Sequence, residues 1–354
     1  MKLMNVSQLK TGMQLARTVL NDDMVVILAE NTMLTKAHIT RLGFLNIPSV
    51  YIKDEYDLSP NYQSVMAMFD RSNAFATEYQ EVVQKVDTIF KATSVTGEVP
   101  AEETHQLVHT TLAPLAKQSR AIDYLYDINH MADDLYNHSL RVSIMAGVIG
   151  KWLHYKRAEI NDLIMAGFLH DIGKTKFPER LQSRAVETMK GPDFEVYLQH
   201  AQDGYDLIKY NSHISDTVKQ AVLQHHECLD GSGFPKHLAK NEISEYARII
   251  AIADLYDNIT TEREGYVRQT PFSAIAKITE LMYTKLDPEI SVTILKRIKD
   301  VFLGSTVVLN NGLTGVIINY PHDLAELPMV RIDEHNVINL NNHKAIKIIE
   351  YNPK

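Results

Sequence analysis

Histidines and aspartates recur through the middle of the chain, and they are the side chains most able to do chemistry. Residues 225–235 contain two adjacent histidines followed by two glycines; they come after His170 and Asp171 and before Asp254. Adjacent residues lie about 100° apart around a helix, so both histidines can face one site only where the element ends. The glycines favour such an ending. Imidazoles and carboxylates grouped in this way predict a metal centre.

A metal centre of this composition suits the hydrolysis of a phosphodiester. Two ions about 3.5–4 Å apart can acidify a bound water and stabilise both the attacking and the leaving oxygen. A carboxylate that bridges both ions is the natural anchor for such a pair. Asp171 is the candidate, because the apolar run 163–169 predicts a buried helix that ends at His170 and Asp171.

The order of these residues resembles the HD-GYP family, the metal-dependent phosphodiesterases of bacterial cyclic dinucleotides, over roughly residues 125–300. The resemblance rests on Tyr-Asn-His-Ser at 136–139, the His-Asp pair, a histidine near Gly204, the His-His pair and Ala-Ile-Ala-Asp at 251–254. It implies two divalent ions, iron or manganese ahead of zinc, cobalt or nickel. The metal ligands that it implies are His138, His170, Asp171, His200, His225, His226 and Asp254.

A third ion is a further expectation from the same resemblance. Some family members use an acid four residues before the first histidine, usually a glutamate, and Asp134 occupies that position. Residues four apart share one face of a helix, so Asp134 and His138 could chelate together. The alternative is that Asp134 is an acid of a helix's first turn, where acids are favoured without any metal.

The resemblance also implies residues that act on the substrate. Lys174 would place an ammonium beside the scissile phosphate, and with Asp171 it forms the predicted catalytic pair. Arg263 stands where the family presents an arginine to a phosphate or guanine, and Arg268 matches the next basic residue only with one inserted position. The signature departs from Gly-Tyr-Pro at Phe234, which keeps the ring and lacks the hydroxyl.

Composition narrows the partners and the compartment. The chain has 354 residues, with 36 basic against 44 acidic side chains and a net charge of −8, so a long nucleic acid is not expected as a partner. A single cysteine, Cys228, excludes an intramolecular disulfide and fits the cytoplasm. No apolar run reaches the ~20 residues that a membrane span needs. We expect a cytoplasmic protein without membrane insertion.

The pattern of apolar residues predicts a mainly α protein. We expect a small N-terminal α+β domain over residues 1–55, a linker and long helices over 56–124, an all-helical HD-type catalytic domain over 125–300, and a small barrel-like β domain over 301–354. Thr35 is a candidate helix N-cap, and 49–52 reads as a strand. The terminal domains carry no chemical motif, so we expect them to regulate the enzyme or to form a homodimer.

Three functions compete on the sequence alone. The first is a phosphodiesterase that cuts cyclic di-GMP to a linear dinucleotide such as pGpG and onward to GMP, with cyclic GMP-AMP as the alternative substrate. The second is a non-catalytic receptor for a cyclic dinucleotide, which retention of every expected ligand disfavours. The third is an HD phosphohydrolase acting on nucleoside phosphates, which the extended motif at 225–235 disfavours.

Overall fold

The chain folds as two compact units, Met1–Glu78 and Tyr79–Lys354. The computed structural model describes residues 2–20, 26–29, 32–45, 47–52, 62–118, 120–128, 135–182, 184–263, 266–322 and 327–353. The division between the units falls inside a long helix, and the domain boundaries predicted at residues 55, 124 and 300 stay predictions. The predicted linker at 54–60 lies outside the described residues.

The N-terminal unit is a small α+β fold, as the sequence predicts. β1 pairs with β4 and β2 with β3, both antiparallel. Thr35 is the N-cap of α1, since its hydroxyl accepts from the backbone N–H of His38 at 3.1 Å. Buried aliphatic side chains from these elements form one core. The elements are β1 (Lys2–Asn5), β2 (Val19–Leu20), β3 (Val26–Leu28), α1 (Lys36–Phe44), β4 (Ser49–Ile52) and the start of α2 (Tyr62–Thr96).

In the larger unit, the described residues between the end of α2 and Phe302 are mainly helical. A π-helical turn, Val108–Leu112, continues the helix that begins at Ala101. Polar side chains at Ser215, Ser244 and Asp287 accept backbone N–H groups and so begin three of the helices. The helices are α3 (Ala101–Leu107), α4 (Ala113–Lys117), α5 (Ala121–Ile128), α6 (Leu135–Trp152), α7 (Arg157–Leu169), α8 (Glu179–Gln182), α9 (Pro192–Ile208), α10 (Asp216–Gln224), α11 (Glu245–Thr260), α12 (Pro271–Leu281) and α13 (Pro288–Phe302).

Five of these helices position the candidate site. α6 is buried along almost its whole length, which matches its apolar residues on every side, and it packs against α7. α10 packs against α9 and α11, and α11 also contacts α6. Among the described residues, no helix combines the length and the hydropathy that a membrane span requires.

A five-stranded antiparallel sheet closes the chain. In this sheet the last strand of the chain pairs with the first of the five, and the others follow in chain order. The small C-terminal β domain is thus confirmed, and its barrel-like form stays a prediction. Tyr351 joins it to the helices: its ring lies 4.9 Å from that of Phe302, and its hydroxyl donates to Asp123 Oδ1 at 2.6 Å. The strands are β5 (Thr306–Leu309), β6 (Thr314–Asn319), β7 (Met329–Arg331), β8 (Val337–Asn339) and β9 (Ile348–Asn352).

Candidate metal centre

The histidines and aspartates singled out in the sequence converge on one buried place. Several of them stand where a helix ends, so that adjacent residues reach the same space. Asp134 lies outside the described residues. The others are His138 in the first turn of α6, His170 and Asp171 at the end of α7, His200 in α9, His225 and His226 after α10, and Asp254 in α11.

Asp171 lies between two groups of histidines. Its side chain is 1% exposed. Oδ2 lies 3.4 Å from His138 Nε2 and 3.5 Å from His170 Nε2. Oδ1 lies 3.2 Å from His200 Nε2 and 3.9 Å from His225 Nε2. Each carboxylate oxygen thus faces a different group, which is the arrangement that a bridging ligand needs.

We call His138, His170 and Asp254 the first half of the centre. His138 Nε2 lies 3.2 Å from His170 Nε2 and 3.1 Å from Asp254 Oδ1. His170 Nε2 lies 3.8 Å from the same oxygen. With Asp171 Oδ2, these atoms form a compact set of two imidazole nitrogens and two carboxylate oxygens.

We call His200, His225 and His226 the second half of the centre. The Nε2 atoms of His200 and His225 lie 3.2 Å apart. The ring of His226 lies 4.8 Å from that of His200 and 4.1 Å from that of His225. These three residues and Asp171 each offer one ligand atom, and the four atoms lie within 4.8 Å of one another.

Backbone carbonyls fix the tautomers of three of the histidines. The Nδ1 atoms of His170, His200 and His225 lie 2.7, 2.5 and 2.8 Å from the carbonyl oxygens three residues earlier. A carbonyl oxygen only accepts, so each Nδ1 carries the proton. In the neutral rings, Nε2 therefore has no proton, and its lone pair points into the centre.

Burial sets the charge of the second half. It lowers the pKa of His200 to about 4 and that of His225 to about 3, and it holds the pKa of His226 well below its ordinary value. Removing a charged imidazolium from water is unfavourable, and these rings are enclosed. All three are neutral at pH 7.

Carboxylates give the first half a different charge. Burial acts to lower the pKa of His138, but its hydrogen bonds to Asp254 and Asp257 outweigh that effect and raise the pKa to about 9. Burial lowers the pKa of His170. Asp171 stays ionised, because Lys174 and the histidines outweigh its burial and hold its pKa well below the usual range.

The donor set fits divalent metal ions. Two neutral imidazoles that both carry their proton on Nδ1, as in His200 and His225, present lone pairs to each other at 3.2 Å with no proton between them. Asp171 Oδ1 is buried and has no hydrogen-bond donor among the described residues. Buried acceptors without donors are costly, and a cation bound by nitrogen and oxygen ligands would satisfy all of them.

Lys174 lies at the same centre. Its ammonium is 2.5 Å from Asp171 Oδ2 and 5.4 Å from the centre of the Tyr197 ring. The 3₁₀ turn Ile172–Lys176 brings it there, because one turn of this tight helix returns the chain to the side of Asp171. The structure therefore places a cation beside the shared carboxylate.

The two predicted arginines lie differently. Arg263 donates to the backbone carbonyl of Asn258 at 2.7 Å, and Asn258 in turn donates to Asp254 Oδ1 at 2.6 Å. Its buried Nε has no hydrogen-bond partner among the described residues. Arg268 stacks on Tyr126, with 4.8 Å from Cζ to the ring centroid. Arg263 is thus linked to the centre through one residue. The described contact of Arg268 is with α5, and its buried Nη1 also has no hydrogen-bond partner among the described residues.

A carboxylate that the sequence analysis missed supports His138. Asp257 Oδ2 lies 2.8 Å from His138 Nδ1, and Asp257 also accepts from Arg141 at 2.7 and 3.0 Å. The signal was available, since Asp257 follows Asp254 by three residues and so lies one turn along the same helix. The pair orients the imidazole of His138 toward the centre.

Two glycines allow backbone segments to approach the centre. A Cβ on Gly173 would lie 2.0 Å from the carbonyl oxygen of His200, so only glycine lets the 3₁₀ turn pack on α9. A Cβ on Gly233 would lie 2.4 Å from the carbonyl oxygen of His226. Glu227 holds the same loop by accepting from the backbone of Lys236 at 2.7 Å, as expected for a loop-ordering acid.

Comparison with known proteins agrees with this centre. Residues 123–290 match the model of the HD domain family. A cyclic di-GMP phosphodiesterase of Pseudomonas aeruginosa is 26% identical over 70% of this chain and 59% of its own length. A cyclic di-GMP phosphodiesterase of Thermotoga maritima is 28% identical over 51% of each chain. The 3'3'-cGAMP-specific phosphodiesterase 3 of Vibrio cholerae is 30% identical over 43% of this chain and 33% of its own.

The chain therefore spans between a third and three fifths of the length of these relatives. A solved structure of an HDG"Y"P protein from Bdellovibrio bacteriovorus matches with a TM-score of 0.52, at 16% identity, over 84% of this chain and 99% of that one. At that identity the likeness concerns the fold alone. The matched domain, the relatives and the fold agree with the motif order in the sequence: residues 123–290 match the HD domain family, and over this region the chain is similar to HD-GYP proteins.

Proposed function

We propose that this protein is a metal-dependent phosphodiesterase that hydrolyses a cyclic dinucleotide. The observation that carries the proposal is the position of Asp171, with one carboxylate oxygen toward each half of the centre. The relatives support the substrate class, since two are named cyclic di-GMP phosphodiesterases and one is specific for 3'3'-cGAMP. Cyclic di-GMP is the first candidate and cyclic GMP-AMP the second.

The two halves would each hold a divalent ion, with iron or manganese as the first candidates. His138, His170 and Asp254 would bind one ion, the second half would bind the other, and Asp171 would bind both. When bound, the ions would acidify water and stabilise negative charge on the phosphate. A third ion at Asp134 remains a proposal from the resemblance.

Lys174 and Arg263 would bind the phosphate of the substrate. Cations held by Asp171 would take up its negative charge, which leaves the Lys174 ammonium in need of another anion. The buried, unpartnered Nε of Arg263 likewise favours an acceptor from the ligand. Arg268 is the weaker candidate because it matches the family's basic residue only with one inserted position, although its buried Nη1 also has no partner among the described residues.

Cleavage of two substrates in parallel tests the proposal. Protein loaded with Mn²⁺ or Fe²⁺ is incubated with cyclic di-GMP and with cyclic GMP-AMP, and linear products are followed by chromatography. Asp171→Asn preserves the shape of the shared ligand and removes its charge, and Asp206→Asn on the surface of α9 is the matched control. We expect metal-dependent cleavage that Asp171→Asn loses and Asp206→Asn keeps. Tight binding of both dinucleotides without cleavage would instead indicate a receptor.

We also propose that residues 1–55 regulate this activity or form a homodimer. The supporting observation is that the C-terminal part of α2 touches segments beside the candidate ligands. Phe90 packs edge-on against Tyr136 at 5.4 Å, and Ser94 donates to the backbone carbonyl of Thr175 at 3.2 Å. Deleting residues 1–55 should change the mass of the particle or its turnover; a protein unchanged in both would contradict the proposal.

A further inference from the structure

His226 differs from the other clustered histidines in its hydrogen bond. The Nδ1 atoms of His170, His200 and His225 face backbone carbonyls, and that of His138 faces Asp257. The hydrogen bond described for the imidazole of His226 is instead at Nε2, and its partner is a phenol. The hydroxyl of Tyr197 lies 3.1 Å from His226 Nε2.

Tyr197 contacts three residues of the centre at once. It precedes His200 by one turn of α9, and its carbonyl oxygen lies 2.5 Å from His200 Nδ1. Its ring centroid is 5.6 Å from that of His226, and the ammonium of Lys174 lies 5.4 Å from the same ring. The side chain is 8% exposed. A buried phenol in such contacts has a fixed position, and burial keeps its pKa well above the usual value, so it retains its proton.

Phe234 packs against both His226 and Tyr197. Its ring stacks on the imidazole at 4.6 Å with an interplanar angle of 25°, and it meets the ring of Tyr197 at 5.9 Å. Phenylalanine has no group that could form a hydrogen bond to an imidazole nitrogen. The hydroxyl that reaches His226 therefore comes from α9, while the signature loop contributes only an aromatic face.

We propose that Tyr197 is a positioning residue that orients His226 in the second half of the centre, and that it supplies there the phenol that Phe234 lacks. The inference rests on the proposed function, in which the second half holds a metal ion. A hydroxyl can both donate and accept, so this bond orients the ring of His226 without selecting its tautomer. The carbonyl partners of His200 and His225 both orient the ring and select its tautomer.

Metal titration of Tyr197→Phe tests the role of the hydroxyl. The variant keeps the ring beneath Lys174 and against Phe234, and it removes one oxygen atom. With Mn²⁺ followed by calorimetry, we expect the second half to bind about 10–100-fold more weakly, as is typical when a partner of a metal ligand is removed. Binding at the first half should not change. Tyr205→Phe, two turns further along α9, is the matched control and should bind both ions as the parent does.

Nuclear magnetic resonance of the metal-free protein gives a readout without substrate or metal. Tyr197→Phe should shift the imidazole nitrogen signals of His226 and leave those of His170 unchanged. The parent protein should show contacts between the ring protons of Tyr197 and His226, and their absence would overturn the inference even if the variant failed to fold. Two tightly bound ions in both Tyr197→Phe and the parent, with the same His226 signals, would overturn this inference alone. A parent that binds fewer than two ions would overturn the proposed function with it.

Discussion

The two halves of the centre share Asp171 but differ in the residues around it: two histidines and a second aspartate in the first half, three histidines in the second. In the first half, carboxylates surround His138 and raise its pKa to about 9. In the second half, burial among carbonyls, rings and other imidazoles lowers the pKa of His200 to about 4 and that of His225 to about 3. At neutral pH in the metal-free protein, His138 of the first half is a charged imidazolium, whereas the histidines of the second half are neutral.

The difference in pKa decides whether a proton is present in each half before a metal ion binds. The imidazolium of His138 can donate from Nε2 to Asp254 Oδ1 at 3.1 Å, so a proton neutralises the negative charge there. The second half has no such proton, and the lone pairs of His200 and His225 face each other at 3.2 Å. An ion must displace a proton from the first half, whereas in the second half it would relieve a repulsion.

The groups that hold the histidines in place also differ between the halves: they are charged side chains in the first half and backbone carbonyls in the second. His138 is held by the buried ion pair of Asp257 and Arg141, which are 5% and 3% exposed. His200 and His225 are held by backbone carbonyls that belong to their own helices. A charged side-chain support can be removed by one substitution, but a carbonyl support cannot. Variants can therefore weaken the halves separately.

The largest separable effect should come from Asp257→Asn. The amide keeps the shape but removes the charge that Asp257 offers to the buried guanidinium of Arg141, and breaking a buried pair costs about 3–5 kcal/mol. His138 loses the charge that orients it, so the first half should bind metal about 10–100-fold more weakly, with the second half unchanged. Urea unfolding and metal titration measure the two effects.

Asp193→Asn provides the matched control for that variant. Asp193 forms a bidentate pair with Arg180 at 2.8 and 3.0 Å, but the arginine side chain is 63% exposed. Solvent screens an exposed pair, so its loss should leave the free energy of unfolding almost unchanged. If Asp257→Asn weakened both halves equally, the halves would be coupled and their comparison would fail.

A smaller effect, shared by both halves, should come from Gly173→Ala. The new Cβ would lie 2.0 Å from the carbonyl oxygen of His200, so the 3₁₀ turn and α9 must move apart. Overpacking of this kind costs about 1–3 kcal/mol. Because Asp171 and Lys174 flank this glycine, their distances from His200 should grow, and both halves should lose metal affinity.

Gly43→Ala is the control for the glycine substitution. Gly43 lies within α1, and a Cβ there would meet nothing within 4 Å. Alanine should therefore leave stability unchanged or raise it by about 1 kcal/mol, since it favours the helix. A Gly173→Ala protein that kept both affinities would show that Asp171 reaches the second half without close packing of the turn.

The sequence predicted the members of the centre better than their supports. The histidines and aspartates stand in short motifs, and apolar periodicity indicated that helices would end at His170 and His225. The long helices and the C-terminal strands follow from the same periodicity. The small C-terminal β domain is confirmed as an antiparallel sheet, and its barrel-like form stays a prediction, because strand sequences do not specify whether the edge strands β8 and β9 meet.

The supports depend on contacts that no local pattern encodes. Tyr197 meets His226 across 29 positions of chain, and Asp257 meets His138 across 119. In the sequence, Tyr197 is one aromatic residue of an amphipathic helix, and most such residues only pack. The role of Tyr197 depends on tertiary packing that brings α9 to the loop of His226. The role of Asp257 depends on packing that brings α11 to α6.

The two halves should differ most clearly in how their metal affinity depends on pH. His138→Gln removes a ligand from the first half, so that Mn²⁺ binding to the second half can be titrated alone. His200→Gln removes a ligand from the second half, so that the first can be titrated alone. Below pH 9 the free form of His138 falls about tenfold for each pH unit, so the apparent affinity of the first half should rise about tenfold per unit from pH 6 to about 9. The second half should bind almost equally over this range, because the pKa of His225, at about 3, lies far below it.

Proton release provides an independent measure of the same difference. Calorimetry at pH 7 in buffers of different ionisation enthalpy should detect about one proton released per ion in the first half and about none in the second. The sign follows from the raised pKa of His138: its proton is present below pH 9 and must leave when Nε2 binds a metal. Adding Asp257→Asn to His200→Gln should lower that pKa and shift the plateau of affinity to lower pH. Equal pH slopes for the two halves would show that the proton on His138 does not distinguish them.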